Sequence, residues 1–128
     1  MMKKVISTEK APKAIGPYSQ AICFKGSLYI SGQLGINPET GKLVEGIKAQ
    51  TEQALKNIQA ILDEAGFTPN DVVKSTVLLS DINNFAAMNE VYAGFYTDKA
   101  PARAAYAVAA LPLGGLVEIE TIAVRNAD

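Results

Sequence analysis

The chain has 128 residues, of which 48% are hydrophobic and 20% charged, and its formal net charge is −1. This length and composition predict a single globular domain over residues 1–128 that can bury a core. The interleaved charges form no basic stripe, which argues against nucleic acid as a partner. No apolar run approaches the roughly 20 residues that span a membrane, and no apolar segment typical of a signal peptide follows the N-terminal lysines. We therefore expect a cytoplasmic protein.

The residue types that are missing narrow the possible chemistry. The chain has no histidine and one cysteine, Cys23, which removes Ser-His-Asp and Cys-His nucleophiles, histidine-ligated zinc and an intrachain disulfide. Cys23 lies in an apolar strand-like run, as is typical of an inert buried thiol. Glycine-rich nucleotide-binding motifs are absent as well. If the chain is an enzyme, carboxylates, arginine, tyrosine, backbone groups and water must perform its chemistry, and we expect no metal and no cofactor.

Runs of apolar and β-branched residues predict six strands in chain order. The first is short, and Lys25-Gly26 between the second and third is a hairpin signal. Residues 37–42 have the composition of a turn that begins a surface loop. The predicted strands cover residues 5–7, 19–24, 27–33, 72–79, 104–111 and 117–125.

Two amphipathic segments predict helices. Apolar residues recur at helical spacing over residues 47–65, with Gly66 as the stop signal and Glu52 and Lys56 as an i,i+4 ion pair on the opposite side. A second helix follows the strand at 72–79, with Asp81 or Asn83 as its N-cap. Its apolar stripe consists of Phe85, Met88, Tyr92 and Phe95.

The resulting order, βββαβαββ, predicts an α+β fold with a six-stranded mixed sheet and two helices on one face. The last strand is apolar on both sides, because Val117, Ile119 and Ala123 alternate with Ile122 and Val124. A strand that is buried on both faces needs a second covering layer. The chain has no helix left to supply that layer, so we expect another subunit to cover this face.

The segments around Arg103 and Glu118 carry the strongest chemical signal. Arg103 begins an apolar strand, and its planar guanidinium can grip a carboxylate with two parallel hydrogen bonds. Glu118 lies inside the next apolar strand, where burial tends to raise the pKa of a carboxyl group toward neutrality and suits it to proton transfer. The two residues predict a site for a small carboxylic acid with acid–base chemistry beside it. The structural alternative is a salt bridge at a strand end.

Several short blocks of this sequence form a pattern when they are taken in order. They are residues 14–21, 30–33, 88–92, 101–103, 111–112 and 117–120. These blocks resemble, in the same order, those of the Rid family of reactive-intermediate (enamine/imine) deaminases, and within it the RidA subgroup. The resemblance implies a chorismate-mutase-like fold that assembles as a homotrimer with sites between subunits. It also implies hydrolysis of 2-iminobutanoate and 2-iminopropanoate to 2-oxo acids and ammonia, which removes reactive products of pyridoxal-phosphate dehydratases.

The resemblance also implies roles for individual residues. Arg103 would bind the substrate carboxylate, Glu118 would handle water, and Tyr18 would close the pocket. Ser31, Gly32 and Asn89, together with the backbone at Ala105, would contact the substrate.

The residues themselves leave alternatives open for several of these positions. Tyr18 would otherwise be a core tyrosine, and Ser31-Gly32 a β-bulge or tight bend, which is the better interpretation from pattern alone. A lone helical asparagine such as Asn89 is usually solvated or a packing compromise. Glu120 shares a strand face with Glu118, and the pattern does not separate their roles.

Two other classes of function remain possible at this point. The same cleft could belong to a non-catalytic module that binds a 2-oxo acid or similar metabolite and reports it to a partner protein. Relatives have also been described as ribonucleases or translation inhibitors. A net charge of −1 and the lack of histidine argue against that activity.

Overall fold

One twisted sheet of six strands organises the molecule. The computed structural model describes residues 2–126, so residues 1, 127 and 128 of the predicted domain lie outside the described residues. The strands are β1 (Lys4–Ile6), β2 (Ala21–Phe24), β3 (Ser27–Leu34), β4 (Ile36–Asn37), β5 (Lys42–Leu43), β6 (Val72–Leu79), β7 (Ala102–Ala107) and β8 (Val117–Val124), and the helices are α1 (Ile47–Ala65) and α2 (Phe85–Phe95). The main sheet has the order β1-β2-β3-β8-β6-β7, while β4 and β5 form a separate small hairpin.

The sheet is mixed, as the sequence predicts. Among the strands of residues 2–126, only β6 and β7 run parallel, and the helix α2 lies in the connection between them. All other neighbouring strands pair antiparallel. Strand β7 therefore forms one edge of the sheet, with β6 as its single neighbour.

The first helix has the predicted bounds and the predicted stop. Gly66 adopts a left-handed conformation with φ 79°, which glycine adopts without steric cost. Its N–H donates to the Asp63 carbonyl, and the N–H of Phe67 donates to the Leu62 carbonyl at 2.9 Å. These two bonds form a Schellman motif. The Glu52–Lys56 ion pair is present at 3.5 Å on the exposed side of the helix.

The second helix starts through a short 3₁₀ turn. The Asp81 carboxylate accepts a hydrogen bond from the Asn83 N–H at 2.9 Å and so caps the turn at Ile82–Asn84 that leads into α2. Asp81 rather than Asn83 is therefore the capping residue. In the predicted apolar stripe, Met88 and Tyr92 are buried and Phe85 and Phe95 are half-buried.

The sheet has two unlike faces. The face that packs on the helices, here called the helix face, carries Val117, Ile119, Thr121 and Ala123 of β8, all of them buried. The alternating residues Glu118, Glu120, Ile122 and Val124 lie on the other side, here called the open face, and are half-buried or exposed. Both helices lie on one face, as predicted.

Several predicted boundaries are wrong. Strand β7 runs from Ala102 to Ala107 rather than over residues 104–111, because its only partner, β6, ends at Leu79. Strand β2 begins at Ala21 instead of at residue 19, and the predicted surface loop after Asn37 contains the β4–β5 hairpin.

Cys23 is half-buried and packs against the core. Within residues 2–126, neither helix is long and apolar enough to cross a membrane.

Candidate active site

A bulge in β3 shapes the first part of the site. Ile30 pairs with Thr121 and Gln33 with Ile119, so β3 has one residue more than β8 over this stretch. The bulge alternative for Ser31-Gly32 is therefore confirmed. The Ser31 hydroxyl donates to the Ser19 carbonyl at 2.6 Å, and this bond holds the bulged backbone in place.

The bulge places Gly32 directly against the side chain of Glu118. A Cβ atom added at Gly32 would lie 2.8 Å from Glu118 Oε2, closer than real Cβ contacts allow. Only glycine therefore lets the carboxylate rest on this backbone. Burial of the half-buried carboxyl raises the pKa of Glu118, and the nearby Glu120 carboxylate raises that pKa further. A raised pKa brings proton exchange by this carboxyl group closer to neutral pH than it is for a free glutamate.

Glu118 lies at the wall of a groove of about 630 Å³. The groove is lined by apolar and polar residues in nearly equal number, among them Tyr18, Ser31, Gly32, Gln33, Glu118 and Glu120. Tyr18 is 50% exposed, so the interpretation of Tyr18 as a core tyrosine is wrong. Its hydroxyl accepts a hydrogen bond from the Ile15 N–H at 3.4 Å, and its own N–H donates to the Gly16 carbonyl at 2.8 Å. These bonds restrain Tyr18, which lines the groove.

Arg103 lies on the helix face and contacts α2. Its Nη1 donates to the Asn89 Oδ1 at 2.7 Å. The guanidinium carbon lies 4.7 Å from the ring centre of Tyr92 and 5.6 Å from that of Phe85. The salt-bridge alternative for Arg103 is wrong, because the ion pairs within residues 2–126 are Lys48–Glu90 and Glu52–Lys56. The Asn89 side chain is thus hydrogen-bonded to Arg103, whereas a lone helical asparagine is usually solvated.

The backbone of β7 offers further hydrogen-bonding groups at the sheet edge. The Val108 N–H donates to the Leu79 carbonyl of β6 at 2.8 Å. Along a parallel strand the N–H and C=O of one residue point to the same side, and successive residues alternate. The main-chain groups of Arg103 and Ala105 therefore point away from β6, toward the free edge.

The structure forms two groups of candidate residues and keeps them apart. Ser75 of β6 pairs with Arg103 on one side and with Thr121 on the other, so all three share the helix face. Glu118 is three residues from Thr121 on β8, and successive side chains of a strand alternate between faces, so Glu118 projects from the open face. One group contains Tyr18, Ser31, Gly32 and Glu118, and the other contains Asn89, Arg103 and Ala105.

Two contacts of Arg103 were not predicted as part of the site. The sequence places Phe85 and Tyr92 in the apolar stripe of the second helix, a pattern typical of core residues, but their rings flank the guanidinium. The available signal was spacing, because Phe85, Asn89 and Tyr92 are separated by four and then three residues and so share one stripe of a helix. The pattern could not show which strand residue that stripe would meet.

The fold and the groove define a class of small α+β proteins in which a mixed sheet, covered by helices on one face, carries a carboxylate groove on the other. The chain belongs to the endoribonuclease L-PSP family, whose profile matches residues 8–125. A 2-iminobutanoate/2-iminopropanoate deaminase from Capra hircus is 56% identical over 98% of this chain and 93% of its own length. The enzyme of that name from Homo sapiens is 52% identical over the same shares.

Solved structures agree with this assignment. RidA from an Antarctic Psychrobacter is 53% identical and superposes with a TM-score of 0.93 over 95% of this chain and 99% of that one. The Escherichia coli protein TdcF, solved with bound serine, is 40% identical and has a TM-score of 0.93 over 96% of this chain and 99% of that one. The predicted membership of the Rid family is confirmed.

Proposed function

We propose that this chain is a hydrolytic deaminase that converts 2-iminobutanoate and 2-iminopropanoate to 2-oxo acids and ammonia. Curated relatives with more than half of their residues identical have this activity as their name. The observation that carries the mechanism is the Glu118 carboxyl, which has a raised pKa and rests on the Gly32 backbone in the groove.

The proposed reaction needs one proton donor and acceptor and one anchor for the carboxylate. The imine reacts in its N-protonated (iminium) form: Glu118 takes a proton from water while the water oxygen attacks the iminium carbon, which gives a neutral carbinolamine. Glu118 then gives that proton to the amine nitrogen, the carbon–nitrogen bond breaks, and the hydroxyl proton passes to solvent, which leaves the 2-oxo acid and ammonia. Arg103 binds the carboxylate through its free N–H groups, and orientation of water and imine supplies much of the acceleration.

We further propose that the two groups of residues combine across subunits of a homotrimer, as in a chorismate-mutase-like assembly. In one chain Arg103 and Glu118 lie on opposite faces of the sheet, so neither group is complete without a partner. The open face carries exposed apolar side chains, including Tyr29, Tyr106 and Val124. A second copy that covers this face and brings its β7 edge to the Glu118 groove would bury these side chains and join the two groups.

The substrate class follows from the same two groups. Serine, which is bound in the TdcF structure, carries the α-carboxylate that Arg103 is suited to bind.

A groove containing Glu118 and Glu120 would repel the phosphates of RNA, which argues against ribonuclease activity despite the description of the family. Hydrolysis needs a proton donor and acceptor in the groove, and the Glu118 carboxyl held against the Gly32 backbone supplies one, so deamination is favoured over metabolite binding alone.

A coupled assay tests this function. A threonine dehydratase generates 2-iminobutanoate, and the loss of the imine absorbance is followed with and without this protein. The expected result is a loss clearly faster than spontaneous hydrolysis, proportional to the amount of protein. An unchanged rate with the wild-type chain, together with measurable binding of 2-oxobutanoate, would instead support the metabolite-binding function.

A further inference from the structure

Helix α2 holds the guanidinium of Arg103 through three side chains. Asn89 occupies one N–H of Nη1 at 2.7 Å. The ring of Tyr92 lies closest to the guanidinium carbon, at 4.7 Å from its centre, and Phe85 lies farther away at 5.6 Å. Distances below about 6 Å are those of cation–π contacts. The guanidinium is thus supported by a ring at its side and by an amide at one end.

The ring of Tyr92 is itself held by packing. Tyr92 is 5% exposed, and its ring centre lies 4.9 Å from that of Tyr96. The Ser75 hydroxyl is close enough to that of Tyr92 to influence its pKa, but within residues 2–126 neither hydroxyl has a partner at full hydrogen-bond geometry. Burial raises the pKa of Tyr92, against the lowering effects of Ser75 and of the charge on Arg103. The phenol therefore stays neutral, and the ring rather than the hydroxyl interacts with Arg103.

We propose that Tyr92 is a positioning residue that orients Arg103 for carboxylate binding. The inference rests on the role of Arg103 under the proposed function and adds the residue that controls its geometry. The Tyr92 ring lies against the guanidinium, and Asn89 accepts a hydrogen bond from Nη1. Together these contacts fix the plane of the guanidinium and so the direction of its remaining N–H groups. A bidentate bond to a carboxylate requires that plane to match the plane of the carboxylate.

Substitutions at position 92 separate the ring from the hydroxyl. We expect Tyr92→Phe to retain kcat/KM, because the ring remains and the lost hydroxyl had no partner. Tyr92→Leu should lower kcat/KM for 2-iminobutanoate about fivefold or more, and weaken 2-oxobutanoate binding in parallel. Phe95→Leu is the matched control: it also removes an aromatic ring from α2, but Phe95 is half-buried and does not contact Arg103. It should retain activity.

A second measurement excludes an effect on folding. Phenylalanine fluorinated at three ring positions can replace Tyr92 with little change of shape, while fluorine weakens the negative face of the ring. Activity should fall relative to Tyr92→Phe with an unchanged melting temperature. In an Arg103→Lys background, the further loss caused by Tyr92→Leu should be much smaller than in the wild type.

The outcomes distinguish this inference from the proposed function. Full activity of Arg103→Lys would overturn the role of Arg103, and the inference would fail with it. If Arg103→Lys lowered kcat/KM, but Tyr92→Leu and Phe95→Leu lowered it equally, the role of Tyr92 would be overturned and that of Arg103 would stand. The same conclusion would follow if fluorination had no effect, or if the two substitutions were additive.

Discussion

The carboxylate of Glu118 occupies the space that a side chain at Gly32 would need. A Cβ at Gly32 would meet three atoms of the Glu118 side chain at 2.8 to 3.0 Å. The bulge in β3 and the register of β8 bring these residues together from positions 86 apart in the sequence. The contact both defines the groove wall and removes water from one side of the carboxyl, which contributes to its raised pKa.

Gly32→Ala is therefore expected to displace the Glu118 carboxylate. We predict a loss of at least about tenfold in kcat/KM, because misplacement of a catalytic group by an ångström is costly. Gly94→Ala is the matched control, since a Cβ at Gly94 meets nothing within 4 Å. Steady-state kinetics of both variants checks the prediction. Equal activity of Gly32→Ala and the wild type would show that the position of Glu118 is unimportant.

Glu118→Gln should retain binding of 2-oxobutanoate and lose most imine hydrolysis. Glutamine has nearly the same shape but cannot take a proton from water. Because it also removes the cost of charging a half-buried carboxyl, the melting temperature should not fall. Calorimetric binding and the coupled assay measure the two effects separately. Undiminished hydrolysis would transfer the role to Glu120 or to backbone groups.

The pH dependence of kcat/KM should report the raised pKa of Glu118. The general base acts in its ionised form, so activity should rise with pH through that pKa. Glu120→Gln removes a negative charge that raises the pKa of Glu118, and the acid limb should therefore move to lower pH. An acid limb that does not move in Glu120→Gln would contradict the coupling of the two carboxyl groups.

Arg103→Lys keeps the positive charge but loses the planar fork. We expect at least about tenfold loss in kcat/KM, equivalent to roughly 1.4 kcal/mol of oriented binding. Arg103→Ala should be worse, and both variants should remain folded oligomers with melting profiles near the wild type. Unfolding or dissociation of Arg103→Ala would instead indicate that the contacts with Asn89 and Tyr92 are structural.

Mixed oligomers test whether Arg103 and Glu118 act from different subunits. Arg103→Ala and Glu118→Gln are each expected to be nearly inactive. After the two are denatured and refolded together in equal amounts, about a quarter of the sites would combine an intact Arg103 with a partner's intact Glu118. Recovered activity in that mixture is the expected result. No recovery, or sedimentation as a 13.6 kDa monomer, would contradict sites between subunits.

Local patterns in the sequence were sufficient for the elements that depend on near neighbours. The bounds of α1, its stop at Gly66 and the turn at Lys25-Gly26 were predictable, because helical periodicity, capping and hairpin turns involve residues a few positions apart. The end of β7 was not, because it depends on where β6, a separate strand, stops.

The candidate site shows the same division. From the sequence alone, the types and spacing of residues indicated that Arg103 could bind a carboxylate and that Glu118 was suited to proton transfer, and they predicted a second subunit over the last strand. Only the tertiary structure decided that these two residues lie on opposite faces, that Glu118 rests on Gly32, and that Tyr92 supports Arg103. These relationships depend on strand register and on the packing of α2 against the sheet, and side chains alternate between faces with every residue. A one-residue difference in register, which no local pattern specifies, would reverse the face on which each group lies.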